Sequence, residues 1–200
     1  MNKRYDVAVI GAGVFGAWTA YSLRRAGAEV LLIDAYGPGN SRASSGGESR
    51  MIRLGYGPDE IYTRWAQRSL VLWKQLFEDA GPQTVPLFQN TGILWLARER
   101  DPYCEALLTT LPRAGARFEK LDRDELVHRF PQIEPGQTTW GILEPDSGVL
   151  MARRAVQAVV ADAVARLGVG EGELTVEVVE AEVWPDASLG CPEEGQFYAQ

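Results

Sequence analysis

The spacing of apolar positions changes several times along the chain, and each change predicts an element. Residues 5–10, YDVAVI, are a short apolar, β-branched run, which predicts a buried parallel strand. Residues 14–26 then read as a helix that Gly27 stops, and residues 29–33 form a second strand. Residues 35–53, AYGPGNSRASSGGESRMIR, show no clear period, and a long structureless stretch in a compact domain is usually functional. Pro58 and Asp59 open a helix over 60–80. Its Ile61, Trp65, Leu72, Trp73, Leu76 and Phe77 share a face, its tryptophans are expected in the core, and Gly81-Pro82 ends it.

Beyond that helix, TGILWLA at 91–97 predicts a strand and Asp101-Pro102 starts a helix to residue 111. Residues 117–120 form a short strand, and Asp122 caps a helical turn that holds Glu125 and His128. Residues 139–144 and 148–150 read as strands on either side of the turn EPDSG. Residues 152–167 form an amphipathic helix, with Val156, Val159, Val160, Ala163 and Leu167 on one stripe. Residues 173–178 and 180–184 are two strands or one continuous strand, and 196–200 begin a further β-like stretch. No internal repeat interrupts this order.

Composition narrows the function classes. A 46% hydrophobic and 24% charged chain is ordinary for a soluble globular protein, and the net charge of −7 argues against a nucleic-acid surface. Cys104 and Cys191 match no metal-binding spacing, which points to a reducing compartment. The single histidine, His128, leaves no room for a multi-histidine metal site. Between Val127 and Arg129 on a surface helix, it is a weak candidate for proton transfer. The first strand starts by residue 5, too early to follow a cleavable signal peptide, and no apolar run reaches the roughly 18 residues of a membrane span. These readings predict a cytoplasmic protein.

The chemistry lies in the first forty residues and the stretch after them. Gly11-x-Gly13-x-x-Gly16 joins the first strand to the first helix, and Asp34 ends the second strand eighteen residues beyond Gly16. The first glycine permits the tight turn, the second lets backbone approach a pyrophosphate, and the third lets helix and strand pack closely. The helix N-terminus would face the phosphates and Asp34 a ribose diol. The plain alternative is a βαβ unit whose glycines serve packing only. Ser44, Ser45, Gly46 and Gly47 offer backbone N–H groups to a ligand. Arg50 and Arg53 follow at i, i+3, which a helical turn would set on neighbouring positions, or which belongs to a solvated basic turn.

With those residues in view, the chain resembles the flavin-dependent amine oxidoreductases of the monomeric sarcosine oxidase type, within the D-amino-acid oxidase superfamily. Four stretches carry the likeness: YDVAVIGAGVFG with Asp34, SSGGESRMIRLGYG, NTGILWL, and EPDSGVL with the long helix after it. The resemblance implies FAD as cofactor. It implies that Gly11, Gly13 and Gly16 face the pyrophosphate, Asp34 the adenosine ribose, and Ser44, Ser45 and Gly46 to Arg50 the flavin ring edge. Arg53 matches the family's position for the substrate carboxylate, and a residue near Val176 or Val178 would meet the adenine through its backbone. No residue is assigned as catalytic. Ser45 and Gly46 stand where sarcosine oxidases carry paired histidines, which puts sarcosine in doubt as a substrate. Cys191 does not match the family's flavin-attachment position.

The resemblance further implies an α/β fold, α+β overall: a Rossmann-like FAD-binding βαβ unit plus strands of an antiparallel substrate-domain sheet. The expected division is 1–85 for the FAD-binding part, 86–150 for the substrate domain and 151–200 for a return to the first. Family members run to nearly twice this length, so the fold is expected to be incomplete. The implied reaction is hydride transfer from an amine or N-methyl or amino acid to flavin. The missing C-terminal half, or a partner chain, would be needed for turnover. Two other readings remain: a non-catalytic FAD- or NAD-binding module that serves a partner chain, and an NAD-linked dehydrogenase, which leaves the loop to Arg53 unexplained.

Overall fold

The computed structural model describes residues 4–79, 81 and 86–166. In chain order its elements are β1 (Val7–Ile10), α1 (Val14–Arg25), β2 (Val30–Ile33), β3 (Arg50–Ile52), α2 (Glu60–Asp79), β4 (Phe88–Gln89), β5 (Ile93–Ala97), α3 (Pro102–Arg113), β6 (Glu119–Asp122), α4 (Arg123–Arg129), β7 (Trp140–Glu144), β8 (Gly148–Leu150) and α5 (Ala152–Arg166). A short 3-10 turn covers Ser44–Gly46. The chain divides into two compact units: the residues up to Glu48 with those from Met151 onward, and Ser49–Leu150.

In the first unit β1 and β2 pair in parallel, Val7 opposite Val30 through Ile10 opposite Ile33. Gly27, in the left-handed region at φ 95°, turns the chain out of α1. Every second residue of β2 is buried, and Val30 and Leu32 line a small apolar cavity together with Ala17 and Ala20 of α1 and Val160 and Ala163 of α5. The small side chains on α1 let it lie close to both the sheet and α5. Burying Leu32, 2% exposed, contributes about 1.5–3 kcal/mol. Arg24 ties the exit of α1 to β2, donating to the Ala28 carbonyl at 2.6 Å and to Glu29 Oε1 at 2.8 Å.

The second unit holds two antiparallel three-stranded sheets, ordered β3-β8-β4 and β5-β7-β6. Its core joins Leu54, Ala97, Cys104, Leu107, Leu111 and Ile142, with Trp95 and Trp140 packed against them. Asp101 caps α3 by accepting from the Cys104 N–H, and Asp122 with Glu125 forms a full capping box at α4. The predicted strand at 117–120 lies slightly later, at Glu119–Asp122. The unit begins at Ser49 rather than near residue 86, because α2 packs on α3.

Two sequence expectations change here. On α2 the buried stripe runs through Thr63, Leu70, Trp73 and Leu76, so Trp73 is core but Trp65 is 61% exposed. Trp65 lies two residues past Thr63, about 200° round the helix, and packs edge-on against Tyr62 instead. Arg50 does not lie on a helical turn. Residues 50–52 are extended, because β8 offers an antiparallel partner with Arg50 opposite Leu150 and Ile52 opposite Gly148.

Candidate functional site

The residues singled out in the sequence fall into both units: Gly11, Gly13, Gly16, Asp34, Ser44, Ser45 and Gly46 in the first, Arg50 and Arg53 in the second.

In the first unit the glycines have separable causes. Gly11 turns the chain at φ 96°, a region L side chains rarely adopt, and its N–H donates to the Ile33 carbonyl at 2.7 Å. A Cβ on Gly16 would stand 1.7 Å from the Gly11 carbonyl oxygen, so close packing alone demands that glycine. Gly13 is different. A Cβ there would meet nothing nearer than the Ala43 Cβ at 3.7 Å, and its backbone is ordinary extended chain. Gly13 is the N-cap of α1, with no side-chain cap and no acid in the first helical turn. A helix start with no cap from its own N-cap side chain and no acid in its first turn suits an anion such as a pyrophosphate, which would complement the helix dipole.

Asp34 anchors this turn from the far strand. Its Oδ2 accepts from the Ala12 N–H at 2.7 Å, while Oδ1 accepts from the Tyr36 N–H at 2.8 Å and Asn40 Nδ2 at 3.1 Å. A carboxylate has about four acceptor sites, so these three bonds leave capacity for a hydroxyl group. Ser45 is buried, and its Oγ accepts from the Val14 N–H at 3.0 Å, whereas Ser44 is exposed. Gly46 serves the fold. A Cβ there would lie 2.1 Å from the Asn40 carbonyl oxygen, its N–H donates to Ala43, and its carbonyl accepts from Arg153 Nε and Nη2 at 2.9 and 2.6 Å.

In the second unit Arg50 is exposed on β3 and donates to the Ser49 carbonyl. Arg53 enters an aromatic cluster: its guanidinium carbon lies 5.1 Å from the ring centres of both Tyr56 and Trp95. Among the described residues no carboxylate forms an ion pair with it. Trp95 stacks at 5.5 Å on Tyr103, whose hydroxyl donates to the Gly55 carbonyl at 3.3 Å. Burial pushes the Tyr103 phenol above its ordinary range, and the Arg53 charge opposes that shift. Burial also pushes the neighbouring Cys104 thiol up to about 11, reinforced by the charge of Asp101 and its hydrogen bond.

Beneath the cluster lies Glu144, which is fully buried and which the sequence reading did not single out. Its Oε2 accepts from the Leu54 N–H and Ser147 Oγ, each at 2.6 Å, and its Oε1 from the Gly55 N–H at 2.8 Å and Trp95 Nε1 at 2.6 Å. The signal was a carboxylate closing the apolar strand WGILE, on the side that faces the core. His128 is exposed on α4. Val176, Val178, Cys191 and the strands read beyond residue 172 lie outside the described residues. No cluster of potential metal ligands occurs among the described residues, and no helix there is long and apolar enough to cross a membrane.

Residues 6–185 match the family described as DAO, FAD dependent oxidoreductase. The chain is 36% identical to the peroxisomal sarcosine oxidase of Homo sapiens over 176 residues, 87% of this chain and 44% of that protein. It is 31% identical to the N-methyl-L-tryptophan oxidase of Citrobacter koseri over 154 residues, 77% of this chain and 41% of that one. Among solved structures, a Tyr258Phe mutant of NikD, an amino acid oxidase essential for nikkomycin biosynthesis, superposes with a TM-score of 0.65 at 26% identity, covering 80% of this chain and 41% of that one. The chain thus spans less than half the length of the relatives it matches.

Proposed function

The chain belongs to the FAD-dependent oxidoreductase family, and on that premise we propose that it serves the FAD-dependent oxidation of an amine or an N-methyl or amino acid bearing a carboxylate. The observation that carries the substrate class is Arg53, whose guanidinium lies over the rings of Tyr56 and Trp95 with no carboxylate paired to it among the described residues. Aromatic rings attract a guanidinium through its charge without using its N–H groups as donors to an acid, which leaves them for a two-pronged bond to a carboxylate.

In the first unit, the start of α1 at Gly13 would hold the pyrophosphate, and Asp34 would accept from the adenosine ribose. Ser45 holds the N-terminal turn of α1, and Ser44 and Gly46 belong to the same ligand-facing loop. Arg50 is assigned toward the flavin by resemblance alone. Bound FAD supplies a two-electron acceptor for the hydride that leaves the substrate C–H, so that an imine forms and water hydrolyses it. The chain's own residues contribute binding and orientation: Arg53 fixes one end of the substrate, and the aromatic wall beside it excludes water from that contact. We extend the proposal to a cytoplasmic setting, which the buried, unbridged Cys104 thiol supports. We assign turnover to the protein together with the part of the family this chain does not span, on the same or a partner chain.

The test is a purified full-length protein with bound flavin measured by visible absorbance, assayed on N-methyl and free amino acids and on the matching amines without a carboxylate. Flavin reduction with preference for the carboxylate-bearing compounds is expected. Bound flavin with no reduction by any of them would favour a cofactor-holding module instead.

A further inference from the structure

We propose that Glu144 is a positioning residue for carboxylate recognition, fixing both the backbone that presents Arg53 and the indole that backs its guanidinium. The inference rests on reading Arg53 as the carboxylate-binding group.

A buried carboxylate is costly unless its acceptor sites are filled, and Glu144 fills about four with four donors. Their identity matters more than their number. Two are the consecutive amides of Leu54 and Gly55, one on each oxygen, which form a fork that sets the direction of the chain immediately after Arg53. The third is Trp95 Nε1, so the carboxylate also fixes the ring that lies 5.1 Å from the Arg53 guanidinium carbon. The fourth, Ser147 Oγ, holds the carboxylate itself from the following turn.

The fork is tight. A Cβ on Gly55 would stand 2.7 Å from Glu144 Oε1 and 3.0 Å from Leu107 Cδ1 and Trp95 Cζ2. Glu144 makes no ion pair with Arg53, so it does not consume the charge it presents. One acid thereby sets the root of the arginine and one of its two aromatic walls. Loosening either by an ångström would misalign a two-pronged bond, whose strength depends on both hydrogen bonds forming together.

The probe is propionate at constant ionic strength, with propionamide as its uncharged isostere, titrated into the full-length protein. Tryptophan emission reports binding, because Trp95 lies against Arg53. Wild type should bind propionate saturably and propionamide weakly, and Arg53→Lys should weaken propionate at least tenfold. In Glu144→Gln one amide edge faces a backbone N–H. A cooperative melt, about tenfold weaker propionate, unchanged propionamide, and faster hydrogen exchange confined to the Leu54 and Gly55 amides are expected.

A folded Glu144→Gln protein whose propionate affinity stays within twofold of wild type, while Arg53→Lys is weakened, overturns the role of Glu144 and leaves Arg53 intact. Propionate affinity unaltered in Arg53→Lys brings down both readings. Should Glu144→Gln fail to fold, Ser147→Ala takes its place, since it removes only the hydroxyl that steadies Oε2. About threefold weaker propionate is then expected, and no change overturns the proposal.

Discussion

The carbonyl oxygen of Gly11 lies only 1.7 Å from where a Cβ on Gly16 would stand, while a Cβ on Gly13 would make only ordinary contacts, with Ala43 Cβ at 3.7 Å and Ser45 Oγ at 3.8 Å. Packing demands a glycine at position 16 but not at position 13, and substitution separates the two. Gly16→Ala must push α1 off the sheet and should lower the melting temperature by several degrees, consistent with the roughly 1–3 kcal/mol of overpacking. Gly13→Ala should melt within about 0.5 kcal/mol of wild type, as a change without strain does. It should nevertheless lose more than tenfold in FAD affinity, because its methyl group enters the space assigned to the pyrophosphate. Thermal melts beside flavin-fluorescence titrations of the full-length protein decide this, and equal FAD affinity in Gly13→Ala would place the phosphates elsewhere.

Asp34 is expected to act on the turn as well as on the ribose. Asp34→Asn replaces one acceptor oxygen with a donor that must face the N–H of Ala12 or of Tyr36, both now bonded to the carboxylate. Loss of a hydrogen bond to a charged group costs roughly 1.5–3 kcal/mol, or about ten- to a hundredfold in FAD affinity. Calorimetric titration with FAD checks this, and with ADP-ribose in place of FAD the same loss should appear. A loss for FAD alone would move Asp34 away from the ribose.

Arg53→Lys keeps the charge and removes the planar fork. KM for carboxylate-bearing substrates should rise about tenfold or more, with kcat/KM for amines lacking a carboxylate nearly unchanged. Equal losses on both substrate classes would make Arg53 a structural cation.

Cys104 gives a pH-dependent signature. Its folded thiol ionises only at about 11 against an ordinary 9.0, so folding favours the neutral form. Its contribution to stability is therefore fully present below about pH 9 and drains away as pH rises toward 11. Melting curves across that interval should fall less steeply for Cys104→Ala than for wild type. At pH 8 iodoacetamide should label Cys104 slowly until urea unfolds the protein; prompt labelling of the folded chain would contradict the burial.

Much of this architecture could be read in the sequence because its causes are local. The glycine turn, the Asp101 and Asp122 caps and the strands of the β5-β7-β6 sheet each follow from a few adjacent residues. Strand β3 could not be read so, since Arg50–Ile52 is extended only because Gly148–Leu150 lies alongside. Trp65 misled for a related reason: both it and Trp73 fit an apolar face, and only packing against the rest of the unit decides which one is covered. Among the chemical residues, those grouped in motifs were visible. Glu144 was not, because its partners Leu54 and Gly55 lie about ninety positions earlier and donate through their backbone, which leaves no trace in residue identity.

The chain leaves the first unit at Glu48 and re-enters it at Met151, and the two crossings are stitched together within that unit. The Ala152 N–H donates to the Glu48 carbonyl at 3.0 Å, the Arg153 N–H to that of Gly47 at 3.3 Å, and the Arg153 guanidinium grips Gly46. The intervening hundred or so residues are thermodynamically a closed loop, and doubling such a loop costs only about 0.6 kcal/mol. That excursion can therefore be lengthened, trimmed or exchanged while the glycine turn between β1 and α1 stays untouched. A graft between relatives should be cut at these two stitches, where both halves already end at the same seam.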